Sequence, residues 1–170
     1  MSKAKKILFV SMLVLSLLWV AFIFSNSLDN GEQSSNKSHT VTVVVNEVAD
    51  SVGVKQEIKE STVRKLAHFA EFAVLGLLVC ADILIASLPR FESILKRSLL
   101  LCASLPVCFI FASVDELIQK FSSGRACEFS DVLTDSFGAL CGILLFISSY
   151  VLCSAIKSKR KKHLTTYNIL

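Results

Sequence analysis

Four apolar stretches, each long enough to cross hydrocarbon, govern what this chain can fold into: Ile7–Phe24, Leu66–Leu88, Ser98–Leu117 and Val132–Ile156. A bilayer core about 30 Å thick takes roughly 20 mainly apolar residues in helical form. Inside hydrocarbon the backbone must satisfy its own polar groups, so these runs are expected as helices. With 53% hydrophobic residues and a mean hydropathy of +0.62, the chain is too apolar for an ordinary soluble domain. The expected class is therefore an all-α membrane protein with four transmembrane helices.

Lys and Arg placement threads the spans. Putting both termini and the Pro89–Arg97 loop in the cytoplasm gathers Lys3, Lys5, Lys6, Arg90, Lys96, Arg97, Lys157, Lys159, Arg160, Lys161 and Lys162 on one side. The only acid with them is Glu92, so that side is strongly positive and the other is net negative. This implies a multi-pass membrane protein with both ends in the cytoplasm. Residues 1–24 form an N-terminal anchor, 25–63 an extracytoplasmic loop, 64–156 a three-helix core and 157–170 a basic tail. The first apolar run is longer than the 7–15 residues of a signal-peptide core, which favours an uncleaved anchor. The basic tail follows a span directly, so its charges suit topology and anionic lipid headgroups; no nucleic-acid partner is expected.

Ser25–Ser38, rich in Ser and Asn, reads as a flexible outer loop. Val41, Val44, Val45, Val48 and Val52 then follow helical spacing, with Ser38 or Thr40 as N-cap, and predict a short amphipathic helix at the outer interface. The charged stretch Lys55–Lys65 merges into the second span. Pro106 removes a helical hydrogen bond to the Cys102 carbonyl and predicts a kink in the third. Ser130 is the expected N-cap of the fourth, where Gly138-x-x-x-Gly142 permits close approach to a neighbouring helix of the same chain. Cys80, Cys102, Cys108, Cys141 and Cys153 lie in apolar spans and act as small hydrophobes, leaving Cys127 alone in an outer loop. No C-x-x-C pair suggests a zinc or redox centre.

Against this apolar background, Glu71, Asp115, Glu116, Asp131 and Asp135 fall at span ends that meet on one face of the membrane. A charge at the bilayer centre costs roughly 2.5–3.5 kcal/mol even on a mild scale, so such a cluster needs partners or a purpose. Arg64, Lys65, His68, Gln119 and Arg125 accompany it. Arg64, His68 and Glu71 share one helical face, and so do Asp115 and Gln119. Asp115 lies about 25 Å along the axis from Ser98, near the outer boundary. The adjacent Asp115-Glu116 pair is expected to bring two carboxylates together, which disfavours double ionisation unless a cation intervenes. Arg125, after the Gly124 turn, is a fork for a carboxylate or phosphate. Asp131 is open to a bland explanation, since acids suit the first turn of a helix; that explanation weakens for Asp135, one turn deeper. Asp82 stands apart in the second span, with a hydrogen bond across helices as its expected use.

These residues resemble the VanZ-like family of small multispanning membrane proteins over roughly residues 18–145. The motifs are Phe24-Ser25-x-Ser27, then Arg64-Lys65-x-x-His68-Phe69-x-Glu71-Phe72, and then Asp115-Glu116-x-x-Gln119-x-Phe121-x-x-Gly124-Arg125 followed by Asp131-x-x-x-Asp135-x-x-Gly138-x-x-x-Gly142. Three positions depart from the family pattern: Ile118 stands where His is frequent, Ser123 for Pro and Phe72 for Tyr. The resemblance implies a bacterial cell-envelope setting and, through the family's namesake, a link to glycopeptide (teicoplanin) resistance. It implies no settled biochemical activity.

Three readings of the cluster remain open. Arg64, Lys65, His68 and Arg125 could grip an anionic membrane lipid or lipid-linked cell-wall precursor. Alternatively, His68, Glu71, Asp115, Glu116 and Asp135 could be the catalytic groups of an intramembrane enzyme, with Asp131 completing enough oxygen donors for a divalent cation. The third reading is an ion-pair network without a ligand. Asp131-x-x-x-Asp135 echoes only half of the CDP-alcohol phosphotransferase motif. The chain lacks a Gly-x-Ser-x-Gly elbow, a His-Glu-x-x-His motif and a P-loop, so standard hydrolase or nucleotide chemistry has no support.

Overall fold

The computed structural model describes residues 2–53, 57–87, 93–122 and 128–167. Six helices follow one another: α1 Lys3–Ser27, α2 Gly31–Ser51, α3 Glu60–Ser87, α4 Ile94–Leu101, α5 Ser104–Phe121 and α6 Phe129–Tyr167. No strand occurs among the described residues. Four helical stretches are long and apolar enough to cross a membrane, namely Lys3–Ser27, Glu60–Ser87, Ile94–Phe121 and Phe129–Arg160. The expected class, an all-α multi-pass membrane protein, therefore holds.

α3 is the centre of the bundle and touches every other helix, with its broadest contact on α6. Small residues make that contact possible. A methyl group added at Gly142 would overlap the Ala73 carbonyl, and one at Gly138 would overlap the Phe69 carbonyl. From the other side, a methyl at Gly76 would lie 2.5 Å from the Ala139 carbonyl oxygen. The Gly138-x-x-x-Gly142 stripe thus packs the fourth span onto the second within one chain, as expected. Around it, Val20 and Ile23 of α1, Phe72 and Leu75 of α3, Cys108 and Ala112 of α5, and Val132 and Ala139 of α6 form the main core. Outward residues such as Leu17, Leu18, Ile110, Leu144 and Leu145 are more than half exposed, as suits a surface solvated by lipid.

The third span breaks where the proline predicts. α4 ends at Leu101, Cys102 and Ala103 form a turn, and α5 restarts at Ser104. Pro106 then occupies the first turn of α5, where a missing N–H goes unmissed. The Cys102 carbonyl, deprived of Pro106, accepts instead from Leu105 N at 3.1 Å. The buried Asp82 carboxylate in α3 finds its expected cross-helix partner, because Ser16 Oγ of α1 donates to Oδ2 at 2.6 Å.

Several boundaries differ from expectation. Ser25–Ser38 is not a flexible loop, since Ser25–Ser27 complete α1 and α2 begins at Gly31. The N-cap is Asn30, neither Ser38 nor Thr40, and it forms a reciprocal capping box with Gln33. Within α2, Ser38 and Thr42 hydroxyls donate to the Ser34 and Ser38 carbonyls, so the polar side chains are satisfied inside the helix. The valine stripe is present, with Val44, Val48 and Val52 exposed, while Val41, also exposed, borders the space between α2 and α3. Lys55–Lys65 is not one helix, because α3 starts only at Glu60 and residues 57–59 are irregular. There Asn46 of α2 brackets Ile58, donating to its carbonyl at 3.3 Å and accepting from its amide at 2.9 Å. Lys55 lies outside the described residues.

Ser130 does not cap α6 but sits inside its first turn, where its hydroxyl reaches Glu128 and Asp131. The expected tail is a helical extension of α6 as far as Tyr167. Cys80 and Cys108 are buried and free, as small hydrophobes should be, while Cys127 lies outside the described residues.

The cap offers a local test. Asn30→Ala should cost about 1 kcal/mol. Amide exchange at Gln33 and Ser34 should quicken while the middle of α3 is unchanged. Unaltered exchange at those two amides would count against the cap.

Candidate functional site

The polar residues converge where α1 ends, α3, α5 and α6 meet, and α2 lies alongside. Arg64, His68 and Glu71 do share a face of α3, since all three line one cavity of about 160 Å³. Asn26 at the end of α1, Asp29 in the turn that follows, and Ser34, Lys37 and Val41 of α2 close its other walls.

Glu71 is tied to α1. Its Oε1 accepts from Asn26 Nδ2 at 2.9 Å, and its backbone carbonyl accepts from Trp19 Nε1 at 2.9 Å. Its Oε2 lies 3.7 Å from His68 Nδ1. The same imidazole nitrogen lies 3.9 Å from Asp115 Oδ2. His68 therefore stands between two carboxylates from different helices.

Asp115 is fully buried and accepts from Gln119 Nε2 at 2.9 Å, one turn further along α5, as their shared face predicted. Glu116 is rotated away and turns to another partner, its Oε1 accepting from the Glu128 amide at 2.7 Å just before α6. Asp115 and Glu116 thus take different hydrogen-bond partners. A helical step of about 100° directs the first to the imidazole and the second to a backbone donor.

Lys65 and Asp131 neutralise each other at 2.6 Å, with Glu128 at 4.0 Å from the same ammonium. That pair ties α3 to the first turn of α6 and suits Asp131's place near a helix N-terminus. Arg64 contrasts with its neighbour: its guanidinium makes no hydrogen bond or ion pair among the described residues. It lines the large cavity and also a second, smaller one of about 20 Å³ with Lys65, His68, Gln119, Asp131, Thr134 and Asp135. Arg125 lies outside the described residues.

Asp135, one turn into α6, is 2% exposed. Donor atoms of His68, Asp115 and Asp135 all fall within 4.8 Å of one another. Three helices thus deliver one imidazole and two carboxylates to a single point. Chemically the arrangement can bind a cation between its acids, relay a proton through His68, or hold an anion on Arg64.

Asn26 and Trp19 were not legible as site residues. Asn26 falls within Ser25-Asn26-Ser27, which reads as a loop, and the role of Trp19 depends on how α1 is rotated against α3.

No curated protein and no solved structure matches the chain. A sequence model described as VanZ/LLP1 matches residues 12–153, nearly the whole chain and every motif of the site, and the chain belongs to that family.

Proposed function

We propose that this protein binds an anionic amphiphile by its headgroup, at the end of the bundle flanked by α2. The membrane-lipid or lipid-linked cell-wall-precursor headgroup would enter from the outer face of a bacterial cytoplasmic membrane, with both termini inside. The observation that carries the reading is Arg64. Lys65 is taken by Asp131, and Lys37 by Asp29 at 2.6 Å, whereas Arg64 has no such partner among the described residues. A half-buried guanidinium on a cavity wall is a fork for carboxylate or phosphate oxygens.

The cavity suits an amphiphile. Its volume of about 160 Å³ exceeds the needs of a lone water, about 10–15 Å³ on a comparable measure. Asn26, His68 and Glu71 offer polar contacts, while Val41, Val63 and Ala67 line an apolar wall. If the headgroup belongs to a cell-wall precursor, its capture would alter glycopeptide (teicoplanin) susceptibility.

The test uses phosphatidylglycerol and phosphatidylcholine nanodiscs. Trp19, the only tryptophan of the chain, bonds the Glu71 carbonyl and reports on the site by its fluorescence. Hydrogen bonds to charged groups contribute about 1.5–3 kcal/mol, so Arg64→Gln should weaken binding of the anionic lipid at least tenfold. Equal affinity in wild type and variant would refute the reading.

A second reading, an intramembrane acid–base enzyme acting on a lipid-linked amphiphile, is favoured by the position of His68 between Glu71 and Asp115. It requires Glu71→Gln to abolish turnover while the protein still folds and still binds the lipid.

A further inference from the structure

We propose that His68, Asp115 and Asp135 form a binding site for one divalent transition-metal ion of the zinc or manganese type. The donors come from α3, α5 and α6 and lie within 4.8 Å of one another. Adjacent ligands of a tetrahedral ion with bonds of about 2.0–2.1 Å stand on the order of 3.3 Å apart. Small side-chain rotations would close that difference.

Asp135 supplies the independent argument. It is almost wholly buried, makes no hydrogen bond or ion pair among the described residues, and borders the small cavity beside His68 and Gln119. Its carboxylate shares this buried spot with that of Asp115, their donor atoms lying within 4.8 Å of each other. A buried charge needs a compensating partner, and the cost is greatest where lipid replaces water. A divalent ion bound there would balance the two carboxylates of Asp115 and Asp135, with the imidazole neutral.

The donor chemistry selects the ion. One imidazole with two carboxylates suits zinc and other first-row metals, whereas magnesium and calcium favour oxygen donors alone. Supporting bonds are in place, because Gln119 donates to Asp115 Oδ2 at 2.9 Å and so fixes a ligating carboxylate. The cavity of about 20 Å³ bordered by His68 and Asp135 adjoins the three donors and has room for about one water. The site shares His68 with the headgroup cavity, so its test uses the metal alone, without lipid ligand.

Protein purified in detergent is stripped with chelator, incubated with Zn²⁺ or Mn²⁺, desalted and analysed for metal. One ion per chain is expected in the wild type. Asp135→Asn and His68→Gln should each weaken retention by at least ~10-fold, by analogy with the loss of supporting ligands elsewhere. Glu47→Gln, on the exposed part of α2, should change nothing. Cobalt substitution in the unmodified protein supplies a check independent of variant folding. Visible d–d bands without thiolate charge transfer identify nitrogen and oxygen ligands. No retained ion in the wild type, full retention in both site variants, or a thiolate signature would overturn the site.

Discussion

Gly142→Leu is expected to leave little folded protein. The Gly142 position meets the Ala73 carbonyl, Gly138 meets Phe69, and Gly76 meets Ala139. All three neighbours are backbone atoms, which cannot swing aside as a flexible side chain could. A leucine must therefore push α6 away from α3 along the broadest contact of the bundle. Overpacking in a well-filled core costs about 1–3 kcal/mol, and more when backbone has to move. Total stabilities of 5–15 kcal/mol are typical, so this is a large fraction. Lipid supplies no hydrophobic drive to recover the contact, since tails are as apolar as the leucine. The check is monodispersity and melting temperature in detergent, with Gly142→Ala expected between wild type and leucine. A wild-type melt for Gly142→Leu would show that the two helices do not pack this closely.

The second large effect should come from Phe72→Ala. Phe72 has no exposed surface and belongs to the cluster in which α1, α3, α5 and α6 all meet. Truncating a buried phenylalanine costs about 3–5 kcal/mol through lost contacts and the cavity left behind. Enclosed by four helices, that cavity has no route for a lipid tail to fill it. Glu71, the preceding residue, holds Asn26 and faces His68, so the loss should loosen α1 and blur the Trp19 signal as well. Phe72→Leu, which retains most of the volume, should recover most of the lost melting temperature. If alanine melts with wild type, the core is not centred on Phe72.

Much of this was legible in the residues. Hydrocarbon thickness imposes a length on each span, so four apolar runs became four membrane-length helical stretches. The proline break and the small-residue contact followed from local chemistry at Pro106, Gly138 and Gly142. The start of α2 was missed although its signal was present: Asn30 and Gln33 have the spacing of a capping box, which Ser- and Asn-rich composition obscured. For the site, Arg64, His68 and Glu71 shared a face as helical spacing required. Which of Arg64 and Lys65 would be neutralised could not be read from two adjacent basic residues. One helical step turns Lys65 to Asp131 and leaves Arg64 at the cavity.

What the sequence by itself determined is that four helices cross a membrane and that their charges gather at one end. Both follow from the cost of placing polar groups in hydrocarbon, which each segment incurs alone. The tertiary structure alone decided which groups meet: Asn26 with Glu71, Ser16 with Asp82, and His68 with Asp115 and Asp135. Those meetings depend on the rotation of each helix about its axis. That rotation comes from packing between segments, above all where the glycines of α6 lie against the carbonyls of α3.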